Sequence, residues 1–322
     1  MRQHPERTAP TILVPLDGSR LAEAVLPAVE ALATRAHARV VVLHVLERNP
    51  PATVHGEHHL RTLVEALEYE EDVSRRLRTA GVQEVHMHVH DAPETDVARS
   101  IAVHAEEHRA DLVVLCTHGG GGLRDLLFGS IAQQALQHGK LSILLVRPPA
   151  AGTTPTFEVR CVLVPVDGTP AHEPALDAAL FIARMFSASI YLAMVIPTLA
   201  TLSGGQAVSG MMLPSTTKAV LDLAEQNAVE YLERMRERCQ RDQVEATYEV
   251  LRGDPVLAVL DLARRIHASL IVMGSHGRAG LDALLAGSVA KRITDKVTTP
   301  ILLVRVSDAA QGDLAAPGTS GR

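Results

Sequence analysis

Short apolar runs recur along the chain, and between them lie longer stretches in which apolar positions return every three or four residues. Runs such as Thr11-Ile-Leu-Val-Pro15, Asp111-Leu-Val-Val-Leu115 and Ser269-Leu-Ile-Val-Met273 lack the alternation of a half-exposed strand. Strands buried on both faces of a parallel sheet read this way, and the helical spacing between them marks amphipathic helices.

The pattern predicts strands over residues 11–16, 39–45, 84–90, 111–116 and 142–147, with helices over 20–35, 59–79, 95–109 and 129–138. It then predicts strands over 161–166, 188–195, 244–251, 269–274 and 300–305, with helices over 171–185, 217–240, 255–266 and 287–296. This alternation implies an α/β fold, with each set forming an open doubly wound five-stranded parallel sheet of order 3-2-1-4-5 and helices on both faces.

The two sets are copies of one unit. Thr11-Ile-Leu-Val-Pro-Leu-Asp-Gly-Ser19 matches Cys161-Val-Leu-Val-Pro-Val-Asp-Gly-Thr169, and Leu141-Ser-Ile-Leu-Leu-Val-Arg147 matches Thr299-Pro-Ile-Leu-Leu-Val-Arg305. The second pair is offset further than the first, and the extra length is expected after Val195, where Pro197 to Lys218 has neither period. The expected organisation is a first domain over 1–147, a linker over 148–158, a second domain over 159–306 and a disordered tail over 307–322.

Composition narrows the class. At 322 residues the chain suits two domains that bury their own cores. Aromatics are only 2%, so those cores must be built from Ala, Leu, Val and Ile. Three cysteines without metal spacing point to a reducing compartment. No stretch reaches 18 apolar residues and the N-terminus has no apolar targeting core, so a cytoplasmic protein without a membrane span is expected. A net charge of −6 with no basic block argues against nucleic-acid binding.

The candidate chemistry lies where strands end. Gly274, Gly277, Gly287 and Ser288 follow a buried strand at fixed spacing, an arrangement that arises by accident in about one chain of this length in a hundred. It is neither a Walker loop nor a GxGxxG turn. Glycines there allow backbone N–H groups to approach an anion, and Ser288 would open a helix whose N-terminal amides favour phosphate. Asp167 and Val195, closing the first and second strands of that half, could meet a ribose and an adenine edge. Asp-Gly-Thr is equally an ordinary turn and helix cap, so the pattern leaves both readings open.

Taken together, Val164-Pro-Val-Asp-Gly-Thr169, Gly274-x2-Gly277-x9-Gly287-Ser288 and Pro300-Ile-Leu-Leu-Val304 resemble the universal stress protein family, here as a tandem pair over about residues 9–147 and 159–306. The resemblance implies ATP, with or without magnesium, held by Asp167, Val195, Gly274, Gly277, Gly287 and Ser288. In the first half the matching positions are Asp17, Val45, Gly119, Gly129 and Ser130, with Cys116 in place of the first glycine. It also implies pairing of the halves through their last strands and a regulatory role, with a homo-oligomer or a protein partner read out by nucleotide state. The alternatives are a slow ATPase or adenylyl-chemistry enzyme, and a nucleotide-free scaffold.

Three other patterns invite simpler explanations. His86, His88 and His90 alternate on an expected edge strand, where a solvated face accounts for them without a metal. His55, His58 and His59 fall in an expected loop, and His118 and His276 in the glycine loops. The stripe Val220, Leu221, Leu223, Ala224, Ala228, Tyr231, Leu232 and Met235 is expected to face the sheet.

Overall fold

The computed structural model describes residues 9–117, 141–148, 156–169, 173–201, 214–274 and 289–304. The first half runs β1 (Thr11–Pro15), a 3-10 turn (Ala22–Val25) leading into α1 (Leu26–Ala36), β2 (Arg39–Glu47), a two-stranded hairpin of β3 (Thr53–Val54) and β4 (Glu57–His58), α2 (Leu63–Thr79), β5 (Glu84–Glu94), α3 (Val97–Glu107), β6 (Leu112–Cys116) and β7 (Ile143–Val146). The second half runs β8 (Cys161–Val166), α4 (Glu173–Phe186), β9 (Ser189–Ile196), α5 (Pro214–Arg241), β10 (Ala246–Arg252), α6 (Pro255–Arg265), β11 (Leu270–Gly274), α7 (Val289–Lys296) and β12 (Ile301–Val304).

One sheet holds ten of these strands in the order β10-β9-β8-β11-β12-β7-β6-β1-β2-β5. Each half shows the 3-2-1-4-5 order expected of a doubly wound sheet. Neighbours within a half are parallel, and β12 lies antiparallel to β7 with Leu302 opposite Leu144.

Successive strand residues point to opposite faces, so the sheet builds two cores. On one face Ile12, Val14, Val40 and Val42 pack with Val29 of α1 and Val73 and Leu77 of α2, and the same layer continues under α4 and α5. On the other face Leu13, Val41 and Leu43 pack with Ile101 and Ala105 of α3, continuing to α6 and α7. Leu13, Val14, Leu163 and Val164 are fully buried, which is why these strands read as unbroken apolar runs.

Helix starts are set by polar caps. The Thr62 hydroxyl accepts from the Glu65 backbone N–H at 3.2 Å, and a Glu65 carboxylate oxygen accepts from the Thr62 N–H at 2.9 Å. This reciprocal box satisfies two of the first-turn donors. The N–H of Arg61, the His58 ring and Thr62 hold the Glu65 carboxyl down at about 2. Asp96 caps α3 and Asp254 caps α6 in the same single-sided way, accepting from Arg99 and Leu257 N–H groups.

Three expectations need correction. The helix expected over 59–79 starts at Leu63, because residues 53–58 form the β3–β4 hairpin and Thr62 caps the turn that follows. The helix expected over 20–35 is a 3-10 turn and then α1. The additional length of the second half is largely helical, since α5 has 28 residues where α2 has 17. The helix expected over 129–138 lies outside the described residues.

Candidate functional site

Both halves end their first strand in the same local structure. Asp17 Oδ1 accepts from the Ser19 N–H at 2.9 Å and the Ser19 hydroxyl at 2.7 Å. Asp167 Oδ1 accepts from the Thr169 N–H at 3.0 Å and the Thr169 hydroxyl at 2.6 Å. An aspartate bonded two residues ahead bends the chain sharply, and the intervening Gly18 and Gly168 take φ of +87° and +79°. Each corner directs a half-buried carboxylate beyond the carboxyl end of the sheet.

The corners stand at the topological switch. β1 lies between β2 and β6, and β8 between β9 and β11. In an open α/β sheet the crevice outside the strand ends at this point is where ligands bind. Gly274 is the buried last residue of β11 and aligns with Val304, just as Cys116 closes β6 and aligns with Val146. Burial pushes the Cys116 thiol up to about 12, and the nearby charge of Asp17 adds to the effect.

Val45 and Val195 lie one strand further out, opposite His90 and Leu251. Val45 is buried in the α3-side core, and Val195 packs against the same layer. The structure thus brings Asp17 to the strand end beside Cys116, and Asp167 to the strand end beside Gly274. Gly277, Gly287, Ser288, Gly119, Gly129, Ser130, His118 and His276 lie outside the described residues, as do residues 202–213 of the segment after Val195.

A feature absent from the sequence reading covers the first corner. The β3–β4 hairpin turns at His55 and Gly56, both at positive φ, and places His55 Nε2 3.7 Å from Asp17 Oδ2. The Arg20 N–H donates to Glu57 Oε2 at 2.9 Å, and Leu60 packs on Gly18. His59, expected in a loop, is 2% exposed and lies 3.6 Å from Glu47. The signal available was the Gly56 punctuation between Thr53-Val54 and Glu57-His58, a short hairpin pattern.

The face of β5 that carries His88 and His90 is only partly solvated, with both residues half-buried. Residues opposite Val41, Leu43 and Val45 point toward α3, and there His88 and His90 meet His104 and His108. Only His86 of the three strand histidines is exposed, paired with Glu84 at 2.8 Å. The stripe on α5 also needs correction: Leu221, Ala228, Leu232 and Met235 are buried, but Val220 and Leu223 are exposed.

Similarity to known proteins follows the same duplication. The profile of the Universal stress protein family matches residues 9–147 and again residues 158–305. A universal stress protein of Methanocaldococcus jannaschii is 27% identical over 144 residues, which covers 45% of this chain and 81% of that protein. One from Mycobacterium tuberculosis is 28% identical over 254 residues, covering 79% of this chain and 77% of its own. The crystal structure of a universal stress protein from Archaeoglobus fulgidus shares the fold, with a TM-score of 0.65 at 18% identity over 93% of this chain and 97% of that one. A Pseudomonas aeruginosa protein described as functionally unknown has a TM-score of 0.65 at 16% identity over 94% of each chain. No described helix is long and apolar enough to cross a membrane. With two matched segments that together span most of its length, the chain belongs to the universal stress protein family.

Proposed function

We propose that this protein is a stress-response regulator of the cytoplasm that binds ATP, with or without magnesium, and that its nucleotide state controls self-assembly or the binding of a protein partner. The observation that carries the reading is the pairing of the Asp167 corner with the buried Gly274 at neighbouring strand ends of the switch point. A glycine that ends a strand there leaves no Cβ between the backbone amides and an approaching anion.

In this reading Asp167 accepts from the ribose hydroxyls and the backbone at Val195 meets the adenine edge. Gly274 and Gly277 give the phosphates close access, and Gly287 and Ser288 supply helix N-terminal donors. Asp17, Val45, Gly119, Gly129 and Ser130 form the corresponding first site, with Cys116 adding a side chain where the second site has none. The hairpin seated on Asp17 further separates the two sites in character. The working units are the domains over 1–147 and 159–306, with 148–158 as linker and 307–322 as tail.

Mass spectrometry of nucleotide released from the gently purified protein, with stoichiometry per chain, tests the proposal. One ATP per chain, lost in Asp167→Ala and Gly277→Val, is the expected result. No co-purified nucleotide together with no calorimetric binding of added Mg-ATP overturns it.

A further inference from the structure

Two consecutive elements, β5 and α3, bring four imidazoles together in the first half. Strand alternation puts His88 and His90 on the α3 side of β5, and His104 and His108, four residues apart, lie along one side of α3 at its C-terminal end. Ring centroids of His88 stand 4.5 Å from His104 and 4.8 Å from His108, and His90 stands 4.9 Å from His104. Among the described residues, His88, His104 and His108 form a group whose ligand nitrogens all lie within 4.8 Å of one another.

We propose that His88, His104 and His108 bind one divalent transition-metal ion of the zinc type, with His90 completing a closed tetrahedral site. Imidazole nitrogens at ~2.1 Å from zinc are separated by ~3.4 Å, so closure from the observed spacing takes about 1.4 Å of side-chain movement. Rotation about the side-chain torsions supplies that without moving β5 or α3. His90 Nδ1 already lies 3.1 Å from His104 Nε2, within ligand spacing.

The surroundings fit the role. Glu107 Oε2 accepts from His104 Nδ1 at 2.7 Å, which fixes the tautomer and turns the Nε2 lone pair toward His88 and His90. A carboxylate behind a ligating imidazole is the usual outer support of a bound metal. His108 Nε2 is buried with no hydrogen-bond partner, a deficit that coordination removes. Burial, followed by the neighbouring imidazoles, pushes His88 and His108 below the usual histidine range, toward the neutral form that ligates. An all-imidazole set selects zinc, copper or nickel over magnesium and calcium.

Bound metal would clamp the edge strand β5 to α3. The test uses the untagged full-length chain, stripped with chelator, titrated with zinc by calorimetry and with cobalt by visible absorption. The expected result is one zinc per chain and the intense bands of tetrahedral cobalt. His108→Gln and His88→Gln each weaken zinc binding about 100-fold and Glu107→Gln about 10-fold, whereas His58→Gln in the exposed hairpin leaves it unchanged. Because His104 is buried, the partly exposed His88 and His108 carry the test, with circular dichroism confirming that each variant folds. Zinc should raise the melting temperature of the parent chain but not of the His88→Gln/His108→Gln double variant. No stoichiometric zinc, weak octahedral cobalt absorption, or affinity that survives the double variant overturns the proposal.

Discussion

A Cβ added at Gly18 would stand 2.7 Å from Leu60 Cγ, so the β3–β4 hairpin segment is packed directly on the first acid corner. Gly18→Ala therefore meets both a left-handed φ and a steric clash, whereas Gly56, at φ +82°, has open space around its Cα. Urea denaturation should show a loss of about 3 kcal/mol for Gly18→Ala and about 1 kcal/mol for Gly56→Ala. Equal losses would mean that Leu60 yields without cost.

The hairpin also screens Asp17, through His55 at 3.7 Å. Replacing both His55 and Leu60 by Ala should uncover the first site and raise ATP stoichiometry from about one toward two per chain in calorimetry. Second-site affinity should not change. A double variant with the parent stoichiometry would show that Cys116, not the hairpin, limits the first site.

Glu70 of α2 is fully buried on the sheet face opposite the imidazole cluster, and neither carboxyl oxygen has a partner at hydrogen-bond geometry. Burial pushes it up to about 8, tempered by the backbones of His44 and His88. The folded chain thus keeps a proton that the unfolded chain releases near its ordinary 4.5. This contribution to stability is fully present below about pH 4.5, declines as pH rises, and is lost above about pH 8. Removing it costs on the order of 5 kcal/mol. Glu70→Gln should flatten that decline, giving a variant more stable than the parent at pH 8.5 but not at pH 5.

Burial pushes Cys116 up to about 12 and Cys239 up to about 11, and Cys161 is raised as well. At pH 8 Cys116 therefore stays overwhelmingly in the unreactive thiol form. A thiol-reactive disulfide reagent should label the native chain over hours and all three cysteines within minutes in urea. Rapid native labelling at Cys116 would show that its strand end opens readily.

Local chemistry was legible where it decided the structure locally. The runs at Thr11 and Cys161 read correctly because burial on both faces removes alternation, and Asp-Gly-Ser and Asp-Gly-Thr were legible as turns because these need only the next two residues. The start of α2 was misread because Leu60, Leu63, Val64 and Leu67 prolong an apolar helical spacing, although the last three are exposed. The Thr62-x2-Glu65 box was the better local signal. Val220 and Leu223 misled in the same way, since α5 is longer than α2 and these apolar positions near its start are not covered. The alternation of His88 and His90 was visible, as was the spacing of His104 and His108. Their meeting was not, because it depends on α3 packing across β5, which no local period encodes.

The strand order leaves β5 and β10 outermost among the described strands, so a wide sheet ends in two open flanks. Such flanks can recruit a like strand from another copy and grow into filaments. β5, at 11 residues, is long enough to do so, yet it carries Glu84, His86, Asp91 and Glu94 along its length. On β10, Glu249 is held by Arg265 at 2.8 Å and by the Tyr191 hydroxyl at 2.9 Å. Stacking identical copies along β5 would force carboxylates against carboxylates, and along β10 it would meet the Glu249–Arg265 pair, so protection from runaway strand addition rests on charge at the two outermost strands.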